Sequence, residues 1–338
     1  PEDQAQLETL FAGISLAQIG LVTAEPEFIV FFGMDEVIQT PIDVLELAWR
    51  DELAPIPTVG AGLASPVANT GQTRGSAVLT QNMHLTGRVA PTKTKTMIIH
   101  ANGTNRDHDA ALAVEMAGGN PEIVHLNQLF AGERKLEDYG FLIIPGGFSY
   151  GDDLGAGVMW ALALREGLGE QLENFVSSGK PVLGICNGFQ TLVKAGVLPG
   201  GFEPRTSTLT YNAQGHFECR WVTLEANQNS NSFWLAGLED GMDTPIAHGE
   251  GRFLCDEATL AHFETNNLVA LRYVGEEYPA NPNGSLSRIA GITNAAGNVL
   301  GLMPHPENHI FDWQHPRYHR GERGRSGLRL FENALRQI

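Results

Sequence analysis

From residue 94 onward, short apolar runs alternate along the chain with amphipathic stretches of helical period. The apolar runs have the length of buried strands, and we assign these to residues 97–100, 122–126, 140–145, 181–185 and 299–303. Helical patterns cover residues 107–116 and 159–177. Strands that alternate with helices at this spacing predict an α/β fold with a mostly parallel central sheet flanked by helices. A later stretch, residues 205–248, is richer in strand patterns.

The first 53 residues carry too few elements to close a sheet of their own. Residues 3–11 have a helical pattern, and residues 27–32 form an apolar run. A second helical pattern covers residues 41–53, with Pro41 near the first turn, where proline is favoured. We therefore expect residues 1–53 to be the end of a domain whose beginning is missing from the sequence.

A change of composition separates this zone from the α/β pattern. Residues 54–93 are dominated by Pro, Gly, Ala, Ser and Thr, and they contain no Asp or Glu. Such a segment cannot bury enough apolar surface to offset the entropy that is lost on ordering it. It predicts a linker, and a flexible coil of about 40 residues would span roughly 35 Å on average. The α/β domain is then expected at residues 94–338.

The charge and the cysteine content of the chain restrict the kinds of partner and the cell compartment that fit this sequence. The 338 residues have a formal net charge of −17, from 39 acidic residues against 22 Lys and Arg, and they show no basic stripe. This composition argues against nucleic acid and against an anionic membrane surface as partners, and no apolar run is long enough to span a bilayer. The 3 cysteines are far apart and form no disulfide framework, so we expect a cytoplasmic protein.

The strongest local motif is Gly184-Ile-Cys186-Asn-Gly188, which follows an apolar strand and precedes a helical pattern. Glycines on both sides of a nucleophile are typical of a tight strand-to-helix turn, the nucleophile elbow. Such a turn places the thiol above the carboxyl edge of the sheet. It also places the thiol at a helix N-terminus, where the helix dipole favours the thiolate. The motif therefore makes Cys186 a candidate nucleophile.

A second motif, His305-Pro306-Glu307, follows the apolar strand at residues 299–303. Because proline restricts the residue before it to extended backbone, we expect His305 and Glu307 to project to the same side. A base beside a thiol, with a carboxylate that orients the base, is the arrangement that nucleophilic catalysis needs. An ordinary solvated surface turn is the alternative interpretation of this motif.

A glycine pair, Gly146-Gly147, follows the strand at residues 140–145. Glycines there expose backbone N–H groups, which can form an oxyanion hole, although an ordinary turn would carry the same residues. A loop that cradles phosphate fits badly, because the sequence contains no G-x-x-x-x-G-K-[ST] pattern.

Taken together, these motifs resemble a known family. Pro-Gly-Gly-Phe-Ser-Tyr-Gly-Asp-Asp at 145–153, Gly-Ile-Cys-Asn-Gly-Phe-Gln at 184–190 and Met-Pro-His-Pro-Glu at 303–307 resemble the class I glutamine amidotransferase domains of phosphoribosylformylglycinamidine synthases, with a flavodoxin-like fold. The segments at 212–221 and 248–253 are similar to the same family. The resemblance implies that L-glutamine is hydrolysed to glutamate and ammonia. Cys186 would attack the side-chain amide, His305 would move protons and Glu307 would orient His305.

The resemblance also implies supporting residues. The oxyanion would be held by backbone N–H groups of Gly147, Phe148 and Asn187. Glutamine binding would involve Gly146, Gln190, Asn212 and Phe217, although Gln214 replaces a Ser that the family usually has. Coupling to a synthetase partner would involve His248, Glu250 and Arg252.

The first zone resembles the last segment of the same enzyme's synthetase part. That resemblance implies that residues 1–53 are the tail of a synthetase domain, with ATP and Mg²⁺ bound on the synthetase part and no cofactor in this chain.

Two other functions are compatible with parts of this pattern. One is another Cys-His hydrolase of flavodoxin-like fold, and the segments at 212–221 and 248–253 argue against it. The other is a catalytically silent interaction module, which an intact Cys186, His305 and Glu307 argue against. A late group of histidines could suggest a metal site, but the prolines among them and the lack of a nearby cysteine predict none. These histidines are His305, His309, His315 and His319.

Overall fold

The computed structural model describes residues 27–32, 35–41, 94–200 and 205–338. The chain divides into two compact units, Pro1–His84 and Leu85–Ile338. The helical pattern at residues 3–11, most of the pattern at 41–53 and the linker at 54–93 lie outside the described residues.

In the first unit, strands β1 (Glu27–Phe32) and β2 (Asp35–Pro41) form an antiparallel pair, in which Glu27 lies opposite Pro41. The apolar run at residues 27–32 is therefore a strand. The sequence pattern predicted that Pro41 lies near the first turn of a helix. In the structure, Pro41 is instead the last residue of β2. The end of a strand suits proline because a ring nitrogen without hydrogen cannot donate to a ladder.

The second unit alternates strands and helices. Its strands are β3 (Lys95–His100), β4 (Asn120–His125), β5 (Phe141–Ile144), β6 (Val182–Ile185), β7 (Ser207–Thr210), β8 (Glu218–Ala226), β9 (Met242–His248), β10 (Arg252–Cys255), β11 (Val269–Tyr273), β12 (Ile289–Thr293) and β13 (Val299–Leu302). Its helices are α1 (Asp107–Met116), α2 (Leu126–Phe130), α3 (Val158–Ser177), α4 (Asn187–Lys194), α5 (Glu257–Thr265) and α6 (Leu328–Arg336). The strands and helices predicted from residue 94 onward are all present, with ends that differ by at most a few residues.

A sheet of 9 strands organises this unit, in the order β4-β3-β5-β6-β13-β12-β11-β8-β9. The pairs from β4 to β13 are parallel, and the pairs from β13 to β9 are antiparallel. The strand-rich stretch at residues 205–248 supplies β8 and β9 to the antiparallel half, and β7 pairs with β10 in a small separate sheet. The predicted α/β fold is thus confirmed.

Helices cover the parallel half of the sheet. Helix α1 packs against α6, and α3 packs against α4. Strands β5, β6 and β13 are buried along their whole length, as continuous apolar runs in a parallel sheet require. Within the described residues, no helix is both long enough and apolar enough to cross a membrane.

Candidate active site

Cys186 lies in the turn between β6 and α4. Its backbone angles, φ 50° and ψ −105°, fall in a region that residues with a side chain rarely adopt, which costs about 1–3 kcal/mol. Its N–H donates to the carbonyl of Leu302 at 2.8 Å, which fixes the turn against the end of β13. The side chain is 5% exposed. The turn therefore has the geometry of a nucleophile elbow, with the thiol at the N-terminus of α4.

The two glycines beside Cys186 have no room for a side chain. A Cβ on Gly188 would lie 1.8 Å from the carbonyl oxygen of Ile144, and one on Gly184 would lie 2.5 Å from Cδ1 of Leu192. Helix α4 therefore approaches both its own strand and the neighbouring strand β5 too closely for any residue larger than glycine. The tightness that the sequence motif predicted is present at both positions.

Three segments meet at the carboxyl edge of the sheet because their strands are neighbours. In the sheet, β6 lies between β5 and β13, and all three strands are parallel. Gly146 follows β5, Cys186 follows β6 and His305 follows β13. Parallel neighbours end at the same edge, which brings the three predicted motifs together at one place.

His305 and Glu307 form a buried pair. Nδ1 of His305 lies 2.7 Å from Oε1 of Glu307, and the two residues are 3% and 2% exposed. The turn that joins them is a 3₁₀ turn, Pro306–Asn308, so the two side chains meet by backbone reversal and not by the extended geometry that the sequence predicted. The backbone of His305 is held by β9, since its N–H donates to the carbonyl of Pro245 at 2.8 Å and its own carbonyl accepts from Thr244 Oγ1 at 2.6 Å.

The charges around His305 favour an imidazolium. Burial by itself lowers the pKa of His305, but the carboxylate of Glu307 and then the sulfur of Cys186 outweigh it, so that the pKa is raised. Nε2 of His305 is buried and has no hydrogen-bonding partner among the described residues. This nitrogen is therefore available for proton transfer at Cys186 or at a bound substrate.

The glycine pair after β5 lies against the histidine. A Cβ on Gly146 would lie 2.8 Å from Cε1 of His305, so this glycine makes space for the ring, and its contact with glutamine stays a prediction. Gly147 has φ +144°, and a Cβ there would lie 2.8 Å from the backbone nitrogen of Asn105. Within residues 94–200 and 205–338, the N–H groups of Gly147 and Asn187 donate to no protein group. Of the three N–H groups that the resemblance assigned to the oxyanion, these two remain free.

Phe148 does not fill the oxyanion role that the resemblance implied. Its N–H donates to the carbonyl of Gly103 at 3.0 Å, where the loop after β3 pairs with the loop after β5. Its side chain is 44% exposed and lies near Phe217, which is 49% exposed, with ring centroids 6.4 Å apart. The two rings therefore form an exposed aromatic pair. A contact between Phe217 and glutamine would have to be made by this exposed ring.

Asn212 does not offer its amide to a substrate. Its nitrogen donates to the carbonyls of His216 at 3.0 Å and His248 at 2.8 Å. Its oxygen accepts from the N–H of Gly251 at 3.0 Å and lies 3.2 Å from Nδ1 of His248. All the hydrogen-bonding capacity of the amide is used inside the protein. Asn212 was predicted to bind glutamine, and in the structure its side chain fixes the turn after β9.

Gln190 is engaged in the same way. Its nitrogen donates to the carbonyl of Glu250 at 2.7 Å, and its oxygen accepts from the Asn187 amide at 3.1 Å. The side chain, 3% exposed, links α4 to the turn after β9. The structure thus assigns it a link within the protein in place of the predicted contact with glutamine.

The three predicted coupling residues are held by contacts within the chain. His248 is 3% exposed, and burial followed by the charge of His305 lowers its pKa to about 3. His248 is therefore inside the molecule beside the candidate site, where it cannot touch a partner. Glu250 Oε2 accepts from the N–H of Ala156 at 3.2 Å, and Arg252 Nε donates to the carbonyl of Gly284 at 3.1 Å.

Sequence reasoning missed Lys194 and the side chain of Asn187. Lys194 Nζ donates to the carbonyl of Ala156, and the Asn187 amide contacts Asp152 Oδ1 at 3.3 Å. Burial and then Glu250 raise the pKa of Asp152 to about 6. The spacing of Asn187, Gln190 and Lys194 along α4 was the available signal, since it places polar groups on one face of an otherwise apolar helix.

Two of the other late histidines lie against an aromatic ring. His309 and His315 lie against Trp221, at ring-centroid distances of 5.1 and 5.0 Å. In the part of the chain that the structure describes, no group of three His, Cys, Asp or Glu could hold a metal ion. Cys219 is exposed, and Cys255 is partly buried.

Comparisons with known proteins agree with this geometry. The model of the CobB/CobQ-like glutamine amidotransferase domain family matches residues 93–337. Phosphoribosylformylglycinamidine synthase subunit PurQ of Treponema denticola is 52% identical over 241 residues, which cover 64% of this chain and 89% of that protein. The PurQ subunit of Dehalococcoides mccartyi is 42% identical over 255 residues, which cover 72% and 97%.

A solved structure extends the comparison to the fold. The structure of PurLQS from Thermotoga maritima is similar with a TM-score of 0.57 and 35% identity, and the match covers 72% of this chain and 99% of that one. The family match and the relatives favour an amidotransferase over an unrelated Cys-His hydrolase. The chain belongs to the CobB/CobQ-like glutamine amidotransferase family, among the PurQ subunits of phosphoribosylformylglycinamidine synthase.

Proposed function

We propose that this chain is the glutaminase of phosphoribosylformylglycinamidine synthase and that Cys186, His305 and Glu307 are its catalytic residues. One observation carries the assignment of residues. Cys186, in a strained elbow, and the buried pair of His305 and Glu307 follow neighbouring parallel strands at one edge of the sheet. The similarity to PurQ subunits over nearly their whole length supports the choice of substrate.

In the first step, the thiolate of Cys186 attacks the side-chain amide carbon of glutamine. The raised pKa of His305 favours a thiolate paired with an imidazolium before substrate is attacked. A carbon–sulfur bond forms, and the amide oxygen becomes an oxyanion. The free N–H groups of Gly147 and Asn187 are the donors that we assign to that oxygen.

In the second step, His305 gives its proton to the amide nitrogen. The carbon–nitrogen bond breaks, ammonia leaves and a γ-glutamyl thioester remains on Cys186. His305, now neutral, takes a proton from water as the water attacks the thioester, and glutamate leaves with return of that proton to the sulfur. Glu307 holds the ring through Nδ1 and stabilises the imidazolium at each stage.

The ammonia would be used on a synthetase part, where it converts formylglycinamide ribonucleotide to its amidine with ATP and Mg²⁺. We propose that this chain supplies no cofactor of its own. We also propose that residues 1–53 are the tail of that synthetase part and residues 54–93 a linker, since the family match begins only at residue 93. A cytoplasmic location fits three cysteines that are all unpaired.

The test is to combine the chain with a synthetase part and to measure amidation with glutamine or with ammonia as the nitrogen donor. We expect Cys186→Ala to lose the glutamine-dependent reaction and to keep the ammonia-dependent one. Glutamine-dependent amidation that survives in this variant would overturn the proposal. We further expect the isolated chain to hydrolyse glutamine slowly, with the rate rising when the loaded synthetase part is added.

A further inference from the structure

The segment that follows Gly147 is strained. We call residues 148–157 the strap. They run from Gly147, a candidate oxyanion donor, to the start of α3 and pass over one face of α4. Three of its residues with side chains, Tyr150, Asp152 and Leu154, have left-handed backbone with φ of 54°, 57° and 63°. This conformation is unfavourable for residues other than glycine, so contacts from outside the strap must hold it in place.

One tether joins the beginning of the strap to α4. The side-chain oxygen of Asn187 accepts from the N–H of Ser149 at 3.2 Å, and its nitrogen donates to Asp152 Oδ1 at 3.3 Å and to Gln190 Oε1 at 3.1 Å. Asn187 is 1% exposed. The residue whose N–H is a candidate oxyanion donor is thus bound through its side chain to the strap.

The other tether closes on the peptide groups of Ala156. Its N–H donates to Glu250 Oε2 at 3.2 Å, and its carbonyl accepts from Lys194 Nζ. Glu250 is held in turn by Gln190, whose nitrogen donates to the backbone carbonyl of Glu250 at 2.7 Å. Asn187, Gln190 and Lys194 therefore bind the strap and the turn after β9 from one helical face.

This second tether is partly desolvated. Burial lowers the pKa of Lys194, while Glu250 and Asp152 partly offset that effect. At the end of the strap, a Cβ on Gly157 would lie 2.9 Å from the backbone nitrogen of Thr191, so the strap and α4 are in close backbone contact. Glu250 and Lys194 therefore hold the end of the strap where it lies against α4.

We propose that Glu250 and Lys194 are positioning residues for the glutaminase reaction. By clamping Ala156 they close the strap on α4, and the closed strap holds the N–H groups of Gly147 and Asn187 where the oxyanion forms. The inference rests on the proposed function and adds residues that do not touch the substrate. It assigns Glu250 a role inside the glutaminase rather than at a partner surface.

The experiment compares Glu250→Ala with Glu250→Gln in the chain combined with its synthetase part. An amide oxygen can still accept from the N–H of Ala156, whereas alanine cannot. We expect Glu250→Ala to lower kcat for glutamine about tenfold or more, less than the roughly 100-fold loss that removal of an oxyanion donor causes. We expect KM to change by less than about threefold, because the substrate contacts are unaffected. Glu250→Gln should keep at least half of the wild-type kcat.

Lys194→Met is the second variant, in case Glu250→Ala fails to fold, and it should reproduce the loss of kcat because it frees the carbonyl of Ala156. Glu170→Ala, at an exposed carboxylate on α3, is the matched control and should behave as wild type. The midpoint of thermal unfolding is measured for each variant. A wild-type kcat in both Glu250→Ala and Lys194→Met, or equal losses in Glu250→Ala and Glu250→Gln, would overturn the clamp.

The same experiment separates the clamp from the proposed function. If wild-type complex uses no glutamine at all, the glutaminase assignment fails. If wild type and both clamp variants use glutamine equally well, only the clamp fails.

Discussion

The imidazole ring of His305 packs against Gly146 so closely that a Cβ on this glycine would lie 2.8 Å from Cε1 of the histidine. Both residues follow strands that flank β6, so the pair closes over the end of the strand that carries Cys186. The position of the candidate base therefore depends on a residue with no chemistry of its own.

We predict that Gly146→Ala lowers kcat by roughly tenfold to 100-fold, because the ring of His305 must move by several tenths of an ångström and small misplacements of catalytic groups are costly. Gly169→Ala on α3 is the matched control, since a Cβ there meets nothing within 4 Å. Glutamine-dependent activity should be unchanged in the control. Equal activity in the two variants would show that the close approach to His305 is without consequence.

The buried carboxylate of Glu307 predicts a shift in pH dependence. It is the largest of the effects that raise the pKa of His305, so Glu307→Gln should lower that pKa while keeping a hydrogen bond to Nδ1. Protonated His305 is then lost at lower pH, and the descending limb of the profile of kcat against pH should move toward acid. A profile that keeps its wild-type limb in Glu307→Gln would contradict the role of the carboxylate.

His305→Ala should be at least as damaging to kcat as Glu307→Ala. The histidine transfers the protons itself, whereas the carboxylate acts through the histidine. Both variants are measured for glutamine-dependent and ammonia-dependent amidation, and only the first reaction should fall. A Glu307→Ala variant that is much the slower of the two would reverse the assigned roles.

The buried imidazole of His248 predicts a loss of stability in acid. Its pKa is lowered from 6.5 to about 3. Between these values the unfolded chain binds more protons than the folded one, so the free energy of unfolding falls as the pH drops through this window. His248→Asn should make the free energy of unfolding less dependent on pH between about 6.5 and 3, and His319→Asn, at an exposed position, should not. Denaturant unfolding across this range measures both slopes, and identical slopes would refute the prediction.

The fold and the centre of the site were predictable because their signals are local. The glycines around Cys186 mark the tight turn, and the strand and helix periods give the parallel order that brings Gly146, Cys186 and His305 to one edge. The antiparallel half of the sheet was seen only as a strand-rich stretch, and the pairing of β8 with β11, which places Ala226 opposite Leu271, joins strands that are distant in sequence.

The supporting residues were harder to assign for the same reason. Gln190 and Asn212 resemble substrate-binding residues, yet each amide nitrogen donates to a backbone carbonyl at or just after the end of β9, which only the folded chain brings near. Glu250 reaches Ala156 across a separation of 94 residues, which no local pattern could reveal. The pair at His305 and Glu307 was predicted for a geometric reason that proved wrong, since a 3₁₀ turn and not an extended backbone brings the side chains together.

The central claim is that Cys186 is the nucleophile, and covalent trapping tests it most directly. The complex is treated with an electrophilic glutamine analogue, and the modified cysteine is identified by peptide mapping, with and without excess glutamine. Burial and then Asp256 raise the pKa of Cys255 to about 11, which keeps that thiol protonated, and Cys219 lies within strand β8 and not at a helix N-terminus. We predict one adduct, on Cys186, that excess glutamine prevents. An adduct mainly on Cys219 or Cys255, or labelling of Cys186 that glutamine does not slow, would contradict it.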